Sequence, residues 1–215
     1  MIYLIYPVDP SISFLDKILE RFSDSIEHGS VQLIRCEASD ESYAIAKDTI
    51  NEIPENSKII FMGHGIPSAI YGGASELYER KFLISLREMN TFKNKTLVLM
   101  SCYSGKLLLS SRKDRNFSSS LGFGLLPSEL LETKGKSKFE KLNLIESDIE
   151  DYQSCLVEMF CKLTDLLLNT TQTTEQIADK LKLFINTKIN TCIFELDNRK
   201  LANLLYFTHE DMHHD

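Results

Sequence analysis

Ile59-Ile60-Phe61-Met62-Gly63-His64-Gly65 and Leu97-Val98-Leu99-Met100-Ser101-Cys102-Tyr103-Ser104-Gly105 decide how this chain is read. Each stretch opens with four apolar residues in a row, without the alternation of a strand that faces water on one side. Strands buried on both faces have that texture, and they belong to parallel sheets covered by helices. Each run then ends in a turn rich in small residues, and each turn carries one residue of reactive chemistry, His64 in the first and Cys102 in the second.

Outward from these two strands the pattern repeats. Residues 2–6 read as a first strand, followed by Asp9-Pro10, an N-cap with proline at the first helical position. Leu15, Ile18, Leu19, Phe22 and Ile26 recur at helical spacing, and Val31-Gln32-Leu33-Ile34 is a second strand. Residues 40–53 read as a helix with Ala44, Ile45, Ile50 and Ile53 on its apolar side. Residues 75–90 read as another, with Leu77, Leu83, Leu86 and Met89. Strands and helices thus alternate, which predicts an α/β three-layer sandwich around a mainly parallel sheet.

Past residue 105 the texture changes. Ser110 to Ser120 is polar and basic and reads as an exposed loop. A sharper reading makes it an activation or self-cleavage loop, in which Arg112, Lys113 and Arg115 would be cut sites if the pocket accepts basic residues. Residues 121–126 suit a fifth strand, and 134–138 a second loop. Ile145, Ile149, Tyr152, Leu156, Met159, Phe160, Leu163 and Leu167 mark a long amphipathic helix. Its stripe at Ile145, Tyr152, Met159 and Leu166 is read as core rather than as a partner surface. Thr173 with Gln176 forms a capping box that opens another helix, and Leu201, Leu204 and Leu205 mark a last short one. The expected organisation is a single domain over residues 1–215, with a sheet core in 1–130 and a helical part in 140–215.

Composition narrows the function. The chain has 215 residues, 43% hydrophobic and 26% charged, which fits an ordinary globular protein. The formal net charge of −7 argues against nucleic acid as a partner, since phosphate binding needs a clustered basic face. No apolar run approaches the roughly 20 residues of a membrane span. Met1 to Tyr6 lacks the basic flank of a signal peptide, so a cytoplasmic location is expected. Five cysteines without a C-x-x-C pair suggest neither a disulfide framework nor a zinc site. Cys36, Cys155, Cys161 and Cys192 sit among apolar residues, as small buried thiols do. His209 and His213 have a helical metal-binding spacing, but they lie in a polar tail expected to be disordered. No metal and no cofactor is expected.

Ligands of open α/β sheets bind beyond the carboxyl ends of the strands, which is where His64 and Cys102 fall. A thiol becomes a nucleophile on losing its proton, and a nearby imidazole assists that loss and then protonates the leaving amine. The backbone N–H groups of Gly65 and Cys102 are candidate oxyanion donors. Ser101 and Ser104 lie outside a G-x-S-x-G elbow, and Ser104 is read as shaping the turn.

An apolar strand ending in His-Gly, followed by one ending in Ser-Cys, resembles the pattern of the caspase-like cysteine peptidases. Phe61-Met62-Gly63-His64-Gly65 resembles the histidine motif of metacaspases and bacterial CHAT-domain proteases. Ser101-Cys102-Tyr103-Ser104-Gly105 resembles the metacaspase cysteine motif. The resemblance spans residues 1 to about 130 and implies a caspase-like sheet. It implies Cys102 as nucleophile, His64 as proton donor and acceptor, and Gly65 with Cys102 as the oxyanion hole. Metacaspases usually carry an aspartate two residues before the cysteine, and this chain has Met100 there. The Gln-Ala-Cys-x-Gly pentapeptide of caspases is also absent, so neither basic nor acidic substrate residues are favoured.

The expected function is therefore a cysteine endopeptidase acting on a protein substrate, with a regulatory protein partner and neither nucleic acid nor membrane. A role in bacterial stress or antiviral defence is an association carried by the resemblance alone. Two further readings stand beside it: a catalytically inactive caspase-like adaptor or signal-binding module, and a small-molecule hydrolase using Cys102.

Overall fold

The two buried runs do lie side by side. In the computed structural model, which describes residues 1–111, 117–169 and 172–215, strands β1 (Ile2–Pro7), β2 (Val31–Cys36) and β3 (Lys58–Met62) enter one sheet. Strands β4 (Gly65–Ile66), β5 (Ala69–Tyr71) and β6 (Phe82–Ser85) form a second. Strands β7 (Thr96–Met100), β8 (Ser119–Gly122) and β9 (His213–His214) return to the first. Its order is β2-β1-β3-β7-β8-β9, parallel throughout except for β9 against β8.

Alternate residues of the central strands point to opposite faces, as the pleat requires. Leu4, Tyr6, Ile60, Met62, Val98 and Met100 enter one core. There they meet α6 (Glu146–Asn169), α7 (Thr174–Phe194) and α8 (Arg199–Glu210), the helical C-terminal third. Tyr3, Ile5, Ile59, Phe61, Leu97 and Leu99 enter the other core. It is covered by α3 (Asp40–Glu52), β6, a 3₁₀ helix over Leu86–Phe92 and α4 (Ser104–Ser110). The protein is thus a three-layer α/β sandwich, and each central strand is buried on both sides.

Several expected elements take another form. Residues 75–90 are not a helix: Phe82–Ser85 pairs antiparallel with Ala69–Tyr71, and a Ser85–Glu88 capping box opens the 3₁₀ turn. Leu77, assigned to a helical face, is 99% exposed. The helix expected over 15–26 is divided among two 3₁₀ turns, α1 (Asp16–Leu19) and α2 (Ser23–Glu27), which still bury Leu15, Ile18 and Phe22. In α3 the buried face is Tyr43, Ala46 and Ile50, while Ala44 and Ile45 are exposed. The fifth strand begins two residues early and stops at Gly122, because Phe123 to Leu126 turns off the sheet to cover the site. The loop expected at 134–138 runs into a short helix, α5 (Ser137–Glu140).

The Thr173–Gln176 capping box opens α7, and Tyr152, Met159 and Leu166 are buried as core, though Ile145 is exposed. The tail is ordered rather than loose, since Leu121 and Gly122 pair with His214 and His213. Among the described residues no three or more potential ligands gather as a metal site. Arg112, Lys113 and Arg115 of the proposed cleavage loop lie outside the described residues.

Candidate active site

Register brings the two reactive residues together. Met62 is the partner of Met100 across β3 and β7, and the Gly63 N–H donates to the Met100 carbonyl at 3.3 Å. Gly63-His64-Gly65 and Ser101-Cys102 therefore leave the sheet as neighbours. Backbone contact continues beyond the strands. A Cβ on Gly65 would lie 2.7 Å from the Cys102 carbonyl oxygen and 2.8 Å from Ser101 Oγ, closer than real Cβ atoms approach. Only glycine permits this crossing. The His64 carbonyl accepts from Tyr71 N–H at 3.0 Å. The trans peptide after it consequently turns the Gly65 N–H away from β5.

The turn after Cys102 is built with care. Tyr103 adopts the left-handed conformation, φ 55°, which costs a bulky residue roughly 1–2 kcal/mol. Its N–H donates to the Gly124 carbonyl at 2.7 Å, which holds the turn. Ser104 shapes the same turn: its buried hydroxyl contacts the Leu99 and Ser101 carbonyls and accepts from Phe123 N–H at 2.8 Å. Ser101 Oγ is buried and has no hydrogen-bond partner among the described residues.

His64 and Cys102 line one cleft of about 320 Å³, with Gly65, Tyr71, Arg80, Glu132 and Lys136 among its walls. A larger depression of about 680 Å³ adjoins it, sharing Tyr103, Leu125 and Lys136. The two side chains share a cleft but are not hydrogen-bonded to each other. The Cys102 thiol donates instead to the Leu126 carbonyl at 3.1 Å and accepts from Leu126 N–H at 3.4 Å. Burial, then the negative charge of Glu132, pushes the thiol up to about 12, against smaller opposing effects of Leu126 N–H and Lys136. At neutral pH Cys102 is therefore a protonated thiol.

His64 is set by residues from two other segments. Its Nε2 lies 2.7 Å from Ser11 Oγ, which in turn donates to Asp9 Oδ1 at 2.7 Å. Arg80 donates to Asp9 Oδ2 through Nε at 2.9 Å and Nη2 at 2.7 Å. Burial raises the Asp9 carboxyl, but the bonds from Ser11 and Arg80 outweigh it and hold the group below its ordinary value. His64 is also held below its ordinary value, by burial first and by the Arg80 charge second, with Asp9 and Glu132 opposing. The imidazole is neutral at pH 7.

The sequence marks His64, Cys102, Gly65 and Ser104, and the structure brings all four to one sheet edge. It does not mark Asp9, Ser11, Arg80, Leu126 or Glu132 as parts of the site. Asp9 is legible as a cap, and it does accept from Ser11 N–H. Its second carboxylate oxygen serves Arg80, 71 residues away. The other cysteines are free: Cys36 and Cys192 are buried, Cys155 and Cys161 half-buried. No protein-family model matches the chain, and no curated protein matches its sequence. Among the described residues no helix is long and apolar enough to cross a membrane.

Proposed function

We propose that the chain is a cysteine endopeptidase held in a resting state, with Cys102 as nucleophile and His64 as acid and base. The observation that carries this reading is the pairing of β3 with β7, whose carboxyl ends deliver His64 and Cys102 into one cleft. The resemblance to caspase-like peptidases rests on the same two motifs. In the working state the thiol leaves the Leu126 carbonyl and gives its proton to His64. Its sulfur then attacks the substrate carbonyl carbon. The oxyanion is met by the N–H groups of Gly65 and Cys102. Collapse breaks the C–N bond, the amine takes the proton from His64, and water hydrolyses the remaining thioester. The two adjoining depressions around Tyr103 favour an extended polypeptide over a small molecule.

A second reading has its own support. A thiol bonded to Leu126 and a neutral histidine bonded to Ser11 also describe a catalytically silent adaptor. The two separate on reactivity toward two kinds of electrophile, read as adducts on Cys102 by mass spectrometry. Iodoacetamide reports the resting thiol. A mixture of peptidyl acyloxymethyl ketones reports a thiol that a bound peptide draws toward His64. The peptidase reading expects peptidyl reagents to label Cys102 much faster than iodoacetamide, and expects His64→Ala to abolish that preference. Equal rates for the two reagents in both chains would sink it and leave the adaptor.

A further inference from the structure

Asp9, Ser11 and Arg80 occupy a position that neither motif accounts for. Ser11 Oγ has one proton and two lone pairs. Three groups approach it: Asp9 Oδ1 at 2.7 Å, His64 Nε2 at 2.7 Å and Arg80 Nη2 at 3.1 Å. Arg80 only donates, so it takes a lone pair. Asp9, kept ionised by the two bonds from Arg80, only accepts, so it takes the proton. One lone pair is left for His64. Two oxygens, or an oxygen and an unprotonated nitrogen, do not rest 2.7 Å apart without a proton between them. The third contact must therefore be Nε2–H donating to Ser11.

We infer that Asp9, Ser11 and Arg80 are positioning residues that lock His64 as its Nε2–H tautomer and leave Nδ1 as the nitrogen that exchanges a proton in the cleft. Among the described residues Nδ1 has no hydrogen-bond partner. When Nδ1 takes up the proton of Cys102, the new imidazolium lies with Nε2 3.8 Å from Asp9 Oδ2, where a carboxylate stabilises it. Arg80 keeps that carboxylate from accepting the proton itself. The device joins three distant pieces of chain: the end of β1, the end of β3 and the segment leading into β6. Its use in catalysis rests on the peptidase reading, but the tautomer does not.

Ring ¹⁵N–¹H correlation spectra of the full chain at pH 7.5 test the lock directly, with His64→Gln identifying the signals among the five histidines. The wild type should show a single species protonated on Nε2. Ser11→Ala should give a mixture of tautomers, and Ser11→Thr, which keeps the hydroxyl, should restore the single one. Labelling of Cys102 by the peptidyl reagents should fall about tenfold in Ser11→Ala and recover in Ser11→Thr, consistent with the loss of one orienting hydrogen bond. A wild-type His64 protonated on Nδ1 overturns the inference, as does an alanine variant that keeps the single tautomer. A locked tautomer in a chain that never favours peptidyl reagents supports the lock and defeats the peptidase reading alone.

Discussion

The resting thiol makes a demanding prediction about Cys102. Alkylation goes through the thiolate. At pH 7.5 a thiol with the ordinary value of 9.0 is about 3% ionised, whereas one pushed up to about 12 is about 0.003% ionised. Iodoacetamide should therefore modify Cys102 in the folded chain about a thousandfold more slowly than the same cysteine in guanidinium. The folded rate should rise about tenfold per pH unit through pH 10, while the unfolded rate levels off near 9. Glu132→Gln removes the second cause of the shift and should speed the reaction. The amide oxygen can still accept from Ser128 and Glu129 N–H, so the local turn survives. The fold binds the thiol proton more tightly than the unfolded chain does. This contribution to stability is full below about pH 9 and declines toward 12, by about 1.4 kcal/mol per pH unit. Cys102→Ala should flatten that decline only in part, because burial also pushes Cys155 up to about 11. Quenched alkylation with peptide mapping provides the rates. A folded Cys102 that reacts within tenfold of the unfolded cysteine at pH 7.5 would refute the reasoning, since the thiol would not be held as described.

Two further outcomes follow from the site. His64 is held neutral, so the unfolded chain takes up its proton first as pH falls through the ordinary value of 6.5. Stability should be full above that value and be lost toward the lower folded value. Urea midpoints at pH 7.5 and 5 should differ less in His64→Gln than in the wild type. Gly65→Ala forces a Cβ against the Cys102 carbonyl, a backbone atom that cannot swing aside. It should cost about 1–3 kcal/mol, a fall in Tm of about 2–4 °C for each kcal/mol, and an unchanged Tm would contradict the close approach.

How far the sequence foretells this structure depends on the range of each signal. Ile59 to Met62 and Leu97 to Met100 are readable because burial on both faces leaves an unbroken apolar run. The sandwich follows from repeating that reading along the chain. Leu77, Leu83, Leu86 and Met89 mislead because helical spacing recurs by chance where a hairpin and a 3₁₀ turn share the segment. Gly72-Gly73 and the run Phe82-Leu83-Ile84 carry the competing strand signal. Within the site, His64 and Cys102 announce themselves by residue type at strand ends. Ser11 and Arg80 do not, because a serine in a turn and an exposed arginine are ordinary until the fold sets them around Asp9. Leu126 is invisible for a different reason: it holds Cys102 through its backbone, and no side chain records that.

The alternation that divides the central strands between two cores also works as an index for the chemistry. A slip of one residue between β3 and β7 would carry Cys102 about 3.3 Å along the strand, out of step with His64. The same slip would turn Leu97 and Leu99 toward the C-terminal helices, and Val98 and Met100 toward α3. A pairing error is thus rejected by packing before reactivity is at stake. Because parity of packing fixes the alignment of the pair, His64 or Cys102 can be exchanged for another residue while the address they occupy stays intact.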